Sequence, residues 1–77
     1  METQIKKAYR QLSKENAAVV RETTTKLCKW KSTQTFYDKM SGRSLVSDKN
    51  RQGKNEVAIF ENSFKAFGVI VWLEQPL

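Results

Sequence analysis

The chain contains no histidine and a single cysteine, Cys28. Without histidine it lacks the commonest general base, the commonest metal ligand and the usual partner of a serine or cysteine nucleophile. One cysteine forms neither an intrachain disulfide nor a thiolate zinc site. The three glycines, Gly42, Gly53 and Gly68, stand apart from one another, so there is no glycine-rich phosphate loop. The carboxylates Glu22, Asp38, Asp48, Glu56, Glu61 and Glu74 are scattered without metal-ligand spacing. The longest apolar run, residues 69–73, is far too short to cross a bilayer, and residues 1–10 lack the apolar segment of a signal peptide. These absences argue against an enzyme. They lead us to expect no cofactor, no metal, no small-molecule substrate and no membrane, and a cytoplasmic, reducing location in which Cys28 is a small core residue.

What is present suits one small folded domain over residues 1–77. A chain of 77 residues buries roughly 60% of its unfolded surface. Its single core must therefore rest on its eight aromatics, Tyr9, Trp30, Phe36, Tyr37, Phe60, Phe64, Phe67 and Trp72. The apolar fraction of 39% against 29% charged residues favours folding over disorder. The net charge of +6 is unevenly spread. Between Lys26 and Lys54 stand eight basic residues and only Asp38 and Asp48 as acids, so this middle stretch carries the whole surplus. A local excess of this kind attracts a polyanion, or else simply keeps the surface solvated.

Periodicity predicts an all-α fold, a compact bundle of about four helices with a short extended C-terminal segment. Ile5, Ala8, Tyr9 and Leu12 recur at helical spacing, with Lys6, Lys7, Arg10 and Gln11 opposite them as a solvated face. Ser13 or Asn16 is placed to cap a second helix whose apolar face would run through Ala17, Val20, Thr24, Leu27 and Cys28. Lys29-Trp30-Lys31 reads as a turn with the indole tucked inward, and Ser32 as the N-cap of a third helix. Phe36, Tyr37 and Met40 form that helix's apolar stripe, and Gly42 takes the left-handed position after it. Arg43 to Lys54 is a polar loop, anchored at its start by Leu45 and Val46. Asn55 should cap a last helix carrying Val57, Phe60, Phe64 and Phe67, which Gly68 ends. The run Val69-Ile-Val-Trp-Leu73 is β-branched and aromatic and reads as extended. It either packs Trp72 back on the first and last helices or pairs with a second copy.

The segment Trp30-Lys-Ser-Thr-Gln-Thr-Phe-Tyr-Asp-Lys-Met-Ser-Gly42 resembles the turn and recognition helix of the helix-turn-helix domains of the Cro and phage-repressor type. It is most similar to small prophage-type regulators, and the likeness extends over about residues 17–43. In that family the turn carries glycine where this chain has Lys29. The apolar spacing fits when the turn is one residue longer, so that Phe36 becomes the buried position. The resemblance implies an all-helical regulator of transcription, of phage or mobile-element type, that reads the major groove of double-stranded DNA. It also implies a homodimer paired through residues 69–73.

The residues themselves suggest how such a site would work. A helix N-terminus favours phosphate, and Ser32 and Thr33 add hydroxyl groups there. Gln34 can pair with adenine, and Lys31 can reach guanine or phosphate. Lys39 and Arg43 are candidates for backbone phosphates one turn on, and Thr24, Lys26 and Lys29 for the opposite strand. Tyr37 either stacks on a sugar or thymine methyl or lies half-buried. Lys49, Arg51 and Lys54 either touch phosphate or solvate their loop. Two rival readings remain from sequence: a protein-interaction module using the aromatic and apolar surface, and an RNA or ribosome binder.

Overall fold

The computed structural model describes residues 3–71. Four helices follow one another, α1 (Gln4–Arg10), α2 (Lys14–Leu27), α3 (Thr33–Met40) and α4 (Glu56–Lys65), with no strand among the described residues. Most of the expected C-terminal extended segment, residues 72–77, lies outside the described residues. Val69 to Val71 run without regular structure, with Val71 buried and Val69 against the core.

Short polar side chains start three of the helices. The side-chain oxygens of Thr3, Ser13 and Asn55 accept the backbone N–H of Lys6, Asn16 and Ala58, satisfying donors that the first turn leaves open. Ser13 rather than Asn16 is thus the cap of α2. The Thr3 hydroxyl also donates to the Met40 carbonyl, which ties the start of α1 to the end of α3.

Helices α2, α3 and α4 end on one scheme, in which a residue of left-handed backbone lets two N–H groups turn back onto the last carbonyls. After α3 this residue is Gly42 (φ +82°), with Arg43 N–H donating to the Asp38 carbonyl at 2.9 Å. After α4 it is Gly68, with Val69 N–H donating to Phe64 at 3.1 Å. After α2 it is Lys29 (φ +62°), with Trp30 N–H donating to Thr25 at 3.1 Å. Lys29 is the one non-glycine residue with positive φ among those described. The chain accepts side-chain strain there to stop α2 and turn into α3.

The core is an aromatic ladder joining α1, α3, α4 and the turn that follows α2. Tyr9 of α1 meets Phe36 of α3 at 5.6 Å between ring centres; Phe36 stacks on Phe60 of α4 at 5.6 Å; Phe60 meets Trp30 of the turn at 5.9 Å. Ile5, Ala8, Val20, Met40, Phe64 and Val71 pack around it. Burying each phenylalanine contributes about 1.5–3 kcal/mol before entropy is counted, so Phe36, Phe60 and Phe64 anchor the bundle. Three expectations need correction. Leu27 is 50% exposed, because the buried line of α2 runs through Ala17, Val20, Thr24 and Cys28 and leaves Leu27 on its margin. Leu45 is exposed, since Val46 takes the inward place beside it. Phe67 falls beyond α4, in the turn, and is 36% exposed.

Candidate nucleic-acid interface

With Phe36 and Met40 turned inward, the helical period sends Gln34, Asp38 and Ser41 to the outer ridge of α3. Tyr37 lies on one flank of that ridge and Lys39 on the other. Ser32 occupies the N-cap position, but its hydroxyl makes no capping bond. Its ψ of 165° matches the 160° of Thr3 and Ser13, so the backbone is placed to cap although the side chain does not. The hydroxyl therefore remains at the surface, where Ser32 and Gln34 are exposed and Thr33 is half-buried.

The two flanks differ in kind. On one, the Tyr37 ring meets Phe36 edge-on and stays 36% exposed. Its hydroxyl accepts from Arg21 Nη1 at 3.3 Å, and the same nitrogen lies 3.5 Å from the Tyr9 hydroxyl. Those phenol oxygens, Tyr37 first, raise the Arg21 pKa further, while partial burial raises that of Tyr9. On the other flank, Lys39 turns inward. Its Nζ lies 3.2 Å from Glu56 Oε1 and donates to the Leu45 carbonyl at 2.6 Å.

Glu56 opens α4 and is buried. Its Oε1 also accepts the Ser47 N–H at 2.9 Å; its Oε2 accepts Trp30 Nε1–H at 2.9 Å and Asn50 Nδ2–H at 3.1 Å. Burial pushes this carboxyl upward, but the hydrogen bonds from Ser47, Asn50, Trp30 and Lys39 together outweigh it and hold the pKa below the ordinary range. One carboxylate thus fastens the turn, α3, the following loop and α4. Cys28 lies next to it, buried, with its thiol pushed up to about 12 by burial and by the Glu56 charge. It is a core residue with an inert thiol.

Asn50 extends the arrangement to the end of α2. Its Nδ2 donates to the Cys28 carbonyl at 3.0 Å, while its Oδ1 accepts the N–H of Gln52 and Lys54. The loop carrying Lys49, Arg51 and Lys54 is thereby held against the turn that carries Lys29 and Lys31. Of the eight basic residues between Lys26 and Lys54, all but Lys39 are exposed.

Measured against the sequence reading, Lys26, Lys29, Lys31, Ser32, Gln34, Tyr37 and Arg43 lie at the surface, with Thr33 partly covered. Thr24 does not belong with them: it is fully buried, and its hydroxyl has no hydrogen-bond partner among the described residues. Lys39 is withdrawn as well, because its ammonium is committed to Glu56 and Leu45. Sequence reasoning missed Glu56, Asn50 and Arg21. The signal for Glu56 was present, since counting back four and eight residues from Phe60 and Phe64 puts it on their buried face. No local pattern marked the bond of Asn50 to Cys28 or that of Arg21 to Tyr37, 22 and 16 residues away.

Among the described residues no cluster of three or more histidine, cysteine or acidic side chains is arranged to hold a metal ion. No helix among them is long and apolar enough to cross a membrane. No protein family, curated protein or solved structure matches the chain.

Proposed function

We propose that the protein binds double-stranded DNA through a helix-turn-helix made of α2, the turn at residues 28–32 and α3, as a transcriptional regulator of phage or mobile-element type. The observation that carries this reading is the outer face of α3. An uncapped hydroxyl and amide tip, Ser32 to Gln34, stands on a helix braced from behind by Phe36, Trp30 and Glu56 and framed by exposed cations. In this reading α3 enters the major groove, and Gln34 and Lys31 meet base edges. Ser32, Thr33, Lys26, Lys29 and Arg43 hold phosphates, and Tyr37 lies against sugar or a thymine methyl. Arg21, positioned by two phenols, joins the phosphate contacts on the Tyr37 side. Lys39 acts only by orienting the helix. The chemistry needs no cofactor, and we place the protein in the cytoplasm.

One module binds weakly, so we further propose a homodimer pairing through residues 69–73, of which Ile70 is exposed. Two copies would read half-sites about 34–36 Å apart.

The test is a mobility-shift assay with random duplexes at low and rising salt. Binding should weaken steeply with salt, as release of counterions requires. The double change Lys31→Glu with Gln34→Ala should abolish specific binding and leave the helical circular dichroism intact. Failure of the unaltered protein to shift any duplex at low salt would end the proposal.

One observation favours a second reading, a protein-interaction module. Thr23, Leu27, Ile59, Asn62, Ser63 and Ala66 line an open groove of about 240 Å³ between α2 and α4, beside exposed Val19. A stoichiometric partner recovered by pull-down, undisturbed by nuclease and lost on Leu27→Glu, would favour it over DNA binding.

A further inference from the structure

The outer ridge of α3 carries an acid where a face meeting DNA would be expected to carry none. Asp38 sits one turn after Gln34, and its Oδ1 accepts the Gln34 Nε2–H at 3.1 Å, with Arg43 Nη1 3.5 Å away on the other side. An ionised carboxylate only accepts, so the nitrogen end of the Gln34 amide faces Asp38 and this bond opposes a flip of the amide. One of its two N–H groups is spent there. The other, together with Oε1, remains for a ligand: one donor beside one acceptor, in fixed order.

We propose that Asp38 is a positioning residue that sets base specificity by locking the Gln34 amide, so that α3 selects adenine over guanine at one position of its site. This rests on the DNA-binding reading above. Adenine offers N7 as acceptor and N6–H as donor in the major groove, which complements the locked amide. Guanine offers two acceptors, N7 and O6, and would set O6 against Gln34 Oε1. Arg43 offsets the Asp38 charge so that the acid can lie close to a polyanion. Asp38 thus weakens general attraction to DNA and sharpens choice among sequences.

The test is selection from a random duplex library, followed by titration of the selected site and its adenine-to-guanine variant. The unaltered protein should prefer adenine by roughly 5- to 100-fold, the range of one good bidentate contact, and Gln34→Ala should lose that preference. Asp38→Ala, in which alanine suits the helix, should melt with the unaltered protein and bind random duplex several-fold more tightly. Its adenine preference should fall to within about twofold. A general structural role would not split affinity from selectivity in this way. The inference is overturned if Asp38→Ala keeps the full preference, or if Gln34→Ala keeps it. A protein that binds no duplex removes the DNA-binding reading as well, whereas binding with an unchanged preference removes this inference alone.

Discussion

Helix α3 carries two ion pairs that look alike on paper and differ in what they do. Lys39 and Glu56 face inward, with side chains 14% and 2% exposed; Arg43 and Asp38 face outward, at 71% and 35%. The inner carboxylate is surrounded by four donors, and its charge is useful only to the fold. The outer pair is solvated, contributes little to stability, and is free to respond to a ligand. The same residue types thus serve as architecture on one side of a helix and, in the proposed reading, as a binding surface on the other, and burial decides which.

The largest expected effect comes from breaking the inner pair. Glu56→Ala leaves Lys39, Trp30, Asn50 and the Ser47 N–H without their shared acceptor and should cost about 3–5 kcal/mol, much of the stability of a domain this size. Chemical denaturation should show it directly. Acid should mimic it. Because folding lowers the Glu56 pKa, its contribution is fully present above the unfolded value near 4.5 and is lost as pH falls through the lower folded value. In Glu56→Gln that part of the acid transition should vanish, and an unchanged acid profile would show that Glu56 is not its source.

A smaller effect separates the two cations. Lys39→Met removes one of the donors to a buried charge and should cost about 1–3 kcal/mol, with the salt slope of DNA binding by the folded protein unchanged. Arg43→Met should leave the melting point within the scatter of surface changes, about 0.5 kcal/mol, while lowering the slope of log affinity against log salt by about 0.9. If Lys39→Met instead lowered that slope in the folded protein, the division between inner and outer pair would be wrong.

The smallest change leaves both pairs untouched. Lys29→Gly should relieve the left-handed strain at the end of α2 and raise stability by about 0.5–1 kcal/mol. A thermal melt would register this gain. It would also remove one exposed cation from the turn, so stability should rise while low-salt affinity for duplex falls slightly.

The helices were legible in the residues because helical spacing and capping are local. The stripes of α1, α3 and α4, the caps Ser13 and Asn55, and the stops at Gly42 and Gly68 all follow from neighbours within four residues. So did the exposed tip at Ser32 to Gln34, once Phe36 and Met40 were turned inward. The candidate site was less legible at its flanks. Lys39 and Arg43 look equivalent in sequence, yet only coordinates reveal that a carboxylate 17 positions away draws one of them inside. Thr24 fits two places by sequence, the apolar face of α2 and a phosphate contact, and its position on the line from Val20 to Cys28 buries it. Arg21 carries no local mark, because its two phenol partners come from other helices.

The helical fold, the break at residues 28–32 and the basic middle stretch could be read from the residues alone, because each depends on neighbours close together in the chain. Which charges face solvent and which hold the core is set by the folded arrangement. That choice depends on Glu56 meeting Trp30, Lys39 and Asn50, an encounter between distant segments that periodicity does not record.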